Sequence, residues 1–293
     1  FISRRCTQRQ MLLRPSAEVE QIYLYCLAEA AQRFTITLYA LVAMSNHQHL
    51  EIRDNLGNFP AFLAHLNKMI AKTMNAHLGR WENFWATEQP NAVFCVEAED
   101  RFSKMIYLLA NPVIDNLVDR VSDWPGASSF ALHVSGRQTI TVKRPRAYFG
   151  ANGKMPKEIT LKIERLDGFG HLTDVEWTAK VKAALEAEEE KARVHRRVSG
   201  VRVLGRRAVL ETSPFSIPKT AAPRRNLRPH IACKNAVRRV LELTALIRFR
   251  ERRLASLARH LAGDLRVLFP YGTYRLRRAF LLTEPQVPIP LAA

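Results

Sequence analysis

Cysteine is scarce in this 293-residue chain, and what there is shows no pairing pattern. Cys6, Cys26, Cys95 and Cys233 lack any Cys-x-x-Cys spacing, which excludes a zinc finger or a disulfide framework and makes a reducing compartment the default. No apolar run approaches the roughly 20 residues that a membrane-crossing helix needs. No signal-peptide pattern is visible and no internal repeat stands out, so a helical membrane protein and a solenoid are both excluded. The sequence opens on Phe1 rather than methionine, so a short leader or first residues are expected before it.

Acidic residues are also in short supply, with 27 Asp and Glu against 45 Lys and Arg, a formal charge of +18. The imbalance is not uniform. Residues 1–135 hold 12 basic and 13 acidic side chains, whereas residues 136–293 hold 33 and 14. A basic surface releases counterions when it binds phosphates, giving salt-sensitive and largely sequence-independent affinity. The pairs Arg206-Arg207, Arg224-Arg225, Arg238-Arg239, Arg252-Arg253 and Arg277-Arg278 suit that role. An anionic membrane surface or an acidic protein would attract the same charge, and some of these arginines lie along helices for packing alone.

What the chain does contain is a pair of histidines two residues apart, in Met44-Ser45-Asn46-His47-Gln48-His49-Leu50-Glu51-Ile52. The apolar run Thr35 to Met44 reads as a strand, Leu50 to Ile52 extend a second, and only Ser45-Asn46 separates them, which predicts a tight hairpin. Alternate residues of a strand share a face, so both imidazoles point the same way, as a metal would need, and Glu51 shares that face. A lone histidine at a strand edge is ordinarily polar surface; a pair at this spacing is rarer.

The second constellation is Phe102 to Val113. At about 100° per residue, Phe102, Met105, Ile106, Leu109 and Val113 form one apolar stripe. Tyr107 and Asn111 fall roughly opposite, one helical turn apart, with Lys104 beside them. Pro112 disfavours a helical conformation at Asn111, so the helix is expected to stop there with the Asn111 amide reaching outward.

These segments resemble a known family. Met44 to Leu50 is similar to the His-hydrophobic-His motif of the HUH nucleases, in the form carried by single-tyrosine insertion-sequence transposases and their REP-associated relatives. Tyr107-Leu108-Leu109-Ala110-Asn111-Pro112-Val113 resembles their Tyr-Ile-x-x-Asn-Pro-Val segment, and Asp123-Trp124-Pro125-Gly126-Ala127-Ser128-Ser129 the Asp-Trp-Pro segment that follows. The resemblance covers residues 1 to about 135, including an opening strand from Phe1 to Cys6. It implies a bacterial transposase of the cytoplasm and nucleoid, a DNA nicking and joining enzyme acting on single-stranded or hairpin DNA as monomer or homodimer. Tyr107 would be the nucleophile, giving a 5′-phosphotyrosine and a free 3′-hydroxyl. His47, His49 and the matching position Asn111 would hold Mg2+ or Mn2+, with Glu51 as an alternative ligand; magnesium prefers oxygen donors, manganese accepts nitrogen more readily, and these residues do not choose between them. A phenol is a weak acid, so the metal or Lys104 would help generate the phenolate. One departure matters: the middle residue of the histidine motif is normally apolar, and here it is Gln48. The alternative is a domesticated DNA-binding protein that keeps the fold but is catalytically impaired.

The expected fold is α+β: a ferredoxin-like βαββαβ antiparallel sheet with an added tyrosine-bearing helix, followed by a basic, mainly helical C-terminal region. Its elements are a strand at 1–6, a helix from Ser16 to Arg33, the hairpin 35–53, a helix from Phe59 to Gly79, a strand from Ala92 to Glu97, and the tyrosine helix from Ala98. The division is residues 1–135 as the nuclease domain, 136–200 as a connecting segment with a charged helix from Thr173 to Val198, and 201–293 as a basic DNA-binding or accessory region. Gln138–Val142 and Glu158–Ile163 read as strands, the charged helix as a solvated face or spacer, and the prolines from Pro214 to Pro229 as a linker before a helix from Lys234 to Leu261. Deleting residues 200–293 is expected to weaken DNA binding and flatten its salt dependence; affinity equal to the full chain at every salt concentration would reject that role.

Overall fold

The computed structural model describes residues 1–146, 148–150, 153–220 and 230–273. Strand β1 (Ile2–Arg5) leads into helix α1 (Ala17–Arg33), whose N-cap Ser16 accepts a hydrogen bond from the Val19 amide. The hairpin β2 (Ile36–Ala43) and β3 (His47–Asp54) follows, joined by three residues, one more than the sequence suggests. Helix α2 (Phe59–Leu78) ends on Gly79 in the left-handed conformation. The last expected strand is broken at Val93 into β4 (Asn91–Ala92) and β5 (Phe94–Cys95), and helix α3 (Ala98–Ile114) comes next.

The chain is a mixed α+β fold around a four-stranded antiparallel sheet in the order β2-β3-β1-β4. One face is covered by α1 and α2, which bury Ile22, Leu27, Phe62 and Leu66 against Leu41 and Leu50. On the other, Tyr39, Ala40, Val42 and Met44 pack against Met105, Leu109 and Val113 of α3. The β2 pairing slips between Leu38 and Ala40, a bulge that lets the neighbours Tyr39 and Ala40 serve the same layer. Outside the sheet, residues 127–129 line the free edge of β2: the Ala43 amide donates to Ala127 O (2.9 Å) and the Ser129 amide to Leu41 O (3.0 Å). Gly126 is required on this approach, because a Cβ there would sit 2.8 Å from the Trp124 indole nitrogen.

Helix α3 does not stop at Asn111. It runs through Pro112 to Ile114, with Leu109, Ala110 and Val113 fully buried, so tertiary packing overrides the local cost of the proline. Helices α4 (Phe130–Ser135) and α5 (Asp174–Ser199) lie behind it. The charged helix is more than a solvated spacer: Trp177, Val181 and Leu185 of α5 pack onto α3, with the Trp177 ring 5.8 Å from Phe102 and 5.4 Å from Phe169. Strands β6 (Thr139–Lys143) and β7 (Glu158–Lys162), both expected as strands, pair antiparallel with each other, and their Val142, Ile159 and Leu161 join the core beside α1.

After α5 the chain returns across the α3 terminus. Leu204 and Gly205 donate to Asn116 O (2.9 Å) and Leu117 O (3.0 Å), α6 (Arg206–Glu211) buries Val209, and the Met11 amide donates to Ser216 O (3.1 Å). Strand β8 (Ile231–Ala232) pairs in parallel with β5, and helix α7 (Ala236–Leu261) follows with no buried side chain, leaving Val240, Ile247 and Leu254 exposed. No described helix is long and apolar enough to cross a membrane.

Buried His133 on α4 provides a pH readout. Desolvation pulls its imidazole down from 6.5 to about 4, against a raising hydrogen bond with the Tyr39 backbone. As pH falls the unfolded chain takes up this proton first, so the stability is fully present above about pH 6.5 and is lost as pH falls toward 4. Urea titrations should show a decline of roughly 3 kcal/mol across that window, absent in His133→Gln. An identical pH slope in the two proteins would contradict this burial.

Candidate metal and nucleophile site

His47 opens β3 and His49 follows on the same face, where its register partners are Val42 on one side and Ser3 on the other. Their rings lie 4.8 Å apart and nearly perpendicular. His49 is buried, stacked on Phe1 with centroids 5.2 Å apart. Helix α3 crosses this face and brings in the other candidates. Tyr107, 42% exposed, sits with its ring 6.1 Å from His49 and 6.3 Å from Phe1. The Lys104 ammonium stands 5.6 Å from the centroids of both Phe1 and Tyr107, so its charge lies over the rings.

Asn111 differs from its sequence expectation. Because α3 continues past Pro112, the side chain is buried rather than reaching outward, and its Oδ1 lies 3.2 Å from His47 Nε2. The opposite ring nitrogen, Nδ1, lies 2.7 Å from Asn46 Oδ1. A neutral imidazole has one N–H to share between two acceptors, so the other contact calls for a second proton or a metal ion. Glu51 shares this face and is buried, and neither of its carboxylate oxygens has a hydrogen-bond partner among the described residues. Burial pushes its carboxyl up to about 8, against the lowering charges of Arg101 and Lys104. The two imidazoles and the Asn111 amide oxygen are donors of the types that a divalent cation accepting mixed nitrogen and oxygen ligands takes. Glu51 and the two histidines, by contrast, do not bring three ligand atoms within 4.8 Å of one another among the described residues. A cavity of about 340 Å³ adjoins His47, walled by Asn46, Asp115, Leu117, Leu204 and Val209.

A second group with metal-compatible atoms stands at the start of α3, where atoms of Glu97, Asp100 and Cys233 lie within 4.8 Å of one another. These residues already have structural work. Asp100 Oδ2 accepts from the Glu97 amide (3.3 Å) in a capping box, and Oδ1 accepts from the Lys234 amide (3.0 Å).

Of the arginines singled out in the sequence, Arg206 donates to Asp123 O (3.2 Å), Arg207 pairs with Glu211 (2.7 Å), Arg238 stands 3.9 Å from Glu242, and Arg239 donates to Cys233 O (3.0 Å). Arg224, Arg225, Arg277 and Arg278 lie outside the described residues. Sequence reading missed Asn46 as a partner of His47, although its place directly before the histidine at the turn was a signal. It also missed the stacking of Phe1 and the approach of residues 204–220, which no local pattern announces.

Gln48 points to the opposite face, as strand alternation requires. Its Nε2 donates to Asn67 Oδ1 (3.1 Å) on α2, while its buried Oε1 has no partner among the described residues. No protein-family profile matches the chain, and no curated protein does. Among solved structures it is similar to a REP-associated tyrosine transposase bound to a REP hairpin, at 20% identity and a TM-score of 0.38, over 46% of this chain and 77% of that one. Replacing both partners in Gln48→Leu/Asn67→Leu should raise unfolding stability by about 1 kcal/mol, since it removes an unpaired buried acceptor, which costs about 1–3 kcal/mol, without orphaning the other amide. A destabilisation measured by urea unfolding would show that Gln48 is already well accommodated.

Proposed function

We infer that the chain is a transposase-like enzyme of the HUH single-tyrosine kind, nicking and rejoining single-stranded or hairpin DNA. One observation carries this reading: two residues of β3 and two of α3, distant in sequence, converge on one sheet face, with His47 3.2 Å from Asn111 and His49 6.1 Å from the Tyr107 ring. The chain order βαββαβ with strands arranged β2-β3-β1-β4 supports the ferredoxin-like form of the fold.

The chemistry follows from what these side chains can do. Tyr107 is exposed enough for a DNA strand to reach, while His49 and Asn111 are buried and held still. Its phenolic oxygen would attack phosphorus, forming the Tyr–O–P bond as the bond from phosphorus to the 3′-oxygen breaks. The departing oxygen takes up a proton from solvent and the phenol releases one, so the balance closes without ATP. A second 3′-hydroxyl reverses the step and joins strands. Bound between His47, His49 and Asn111, with Glu51 in reserve, a Mg2+ or Mn2+ ion would neutralise phosphate charge. Lys104 keeps a positive charge beside the phenol, where a phosphate would lie.

Residues 1–135 would carry the chemistry and 201–293 the added grip, through Arg206, Arg207, Arg238 and Arg239 with Arg224, Arg225, Arg277 and Arg278 beyond the described residues. Such an enzyme would work beside cytoplasmic DNA as a monomer or homodimer. The half-satisfied Gln48 favours a second reading, a DNA-binding protein that keeps the fold without the chemistry. A labelled DNA hairpin incubated with Mn2+ separates the two. The enzyme forms a denaturation-resistant protein–DNA adduct, and Tyr107→Phe abolishes it while leaving binding unchanged. Adduct formation by that variant would remove Tyr107 from the role; its absence in the wild-type protein would favour the binding-only reading.

A further inference from the structure

We propose that Asn46 is a positioning residue that fixes which ring nitrogen of His47 carries the proton, and that its own orientation is set by Arg9 and Thr220. The proposal deepens the reading of His47 as a metal ligand and rests on it only where metal affinity is concerned. A carboxamide has one donating end and one accepting end. The Asn46 Nδ2 end donates to the Arg9 carbonyl (3.3 Å), which leaves Oδ1 facing His47 Nδ1 at 2.7 Å. Both amide oxygens facing the ring only accept, and the Asn46 contact at 2.7 Å is much the shorter of the two, so the single imidazole proton sits on Nδ1. The unprotonated Nε2 then faces Asn111 Oδ1, and two acceptors 3.2 Å apart are what a cation between them would need.

The Arg9 carbonyl is itself held in place. Gln8 and Arg9 adopt φ angles of +49° and +60°, in the left-handed region that non-glycine residues seldom visit. The Cys6 amide donates to Asn46 O (2.7 Å) and the Leu13 amide to Ser45 O (2.9 Å), so the loop clasps the hairpin turn from both sides. The Arg9 guanidinium donates to Thr220 O and, at 3.0 Å, to Thr220 Oγ1. Hydrogen bonds at the two ends of Arg9, its guanidinium on Thr220 and its carbonyl on Asn46, thus link the segment after α6 through the covalent frame of Arg9 to the His47 ring. Partners of this sort, which orient a metal-binding imidazole, contribute about 10–100-fold in metal affinity.

The test is nitrogen NMR on the metal-free full chain with 15N-labelled histidine, the His47 signals assigned by their loss in His47→Gln, together with Mn2+ titration followed by electron paramagnetic resonance. Wild-type His47 should show the Nδ1–H tautomer. Asn46→Ala should give a tautomer mixture and about 10–100-fold weaker Mn2+ binding. Asn46→Asp still accepts from Nδ1–H and should retain the tautomer; Asn46→Ser, too short to reach, replaces the alanine variant if that one unfolds. Arg9→Gly suits the positive φ and keeps the carbonyl but releases Thr220, and should fall between wild type and Asn46→Ala. A wild-type tautomer in Asn46→Ala, or in Asn46→Ser, overturns the role of Asn46, and an Arg9→Gly spectrum identical to wild type overturns the link to Thr220. Should the wild-type protein bind no Mn2+, the metal reading fails, and the tautomer alone decides the proposal.

Discussion

The packing of α3 against β2 holds everything else in place. Met105, Leu109 and Val113 meet Val42 and Met44 on the sheet, while Trp177, Val181 and Leu185 close over the helix from behind. Each large apolar side chain buried this way contributes about 1.5–3 kcal/mol, and the helix is gripped on both sides. Its rotation about its own axis is therefore set by the core. Successive residues are about 100° apart around a helix, so a one-residue change of register would carry Tyr107 and Asn111 off the histidine face.

That constraint also explains why buried and exposed groups sit side by side. His49 lies in the plane of the sheet between Ser3 and Val42, and Asn111 is wedged where helix and strand meet. Tyr107, one turn earlier, emerges at the rim. The buried members gain fixed geometry from the core, and the rim member keeps its access to solvent. Glu51 bears the cost of the same arrangement, a carboxyl deep in the layer without hydrogen bonds from its neighbours.

Much of this was legible along the chain. Strand alternation put His47, His49 and Glu51 on one face and sent Gln48 to the other, and period-3.6 spacing marked the buried stripe of α3. The N-cap Ser16, the terminal Gly79 and the acidic start of α3 located helix ends to within a residue or two. Where sequence reading failed, a long-range contact had overruled a local preference. Pro112 reads as a stop, but the burial of Val113 outweighs its cost. The charge-rich Asp174–Ser199 reads as solvated because its apolar row of Trp177, Val181 and Leu185 is narrow, and that row has a partner only once α3 is in place.

The amino-acid order by itself determined the elements, their buried faces and the candidate chemical groups, since each depends on neighbours within a few residues. Tertiary structure alone decided how far those groups stand from one another, that Asn111 turns inward, and that Arg9 and Thr220 reach the histidine through Asn46. Such contacts join residues from 37 to 211 positions apart. Their geometry comes from closing the core around the whole chain, which no local window of sequence encodes.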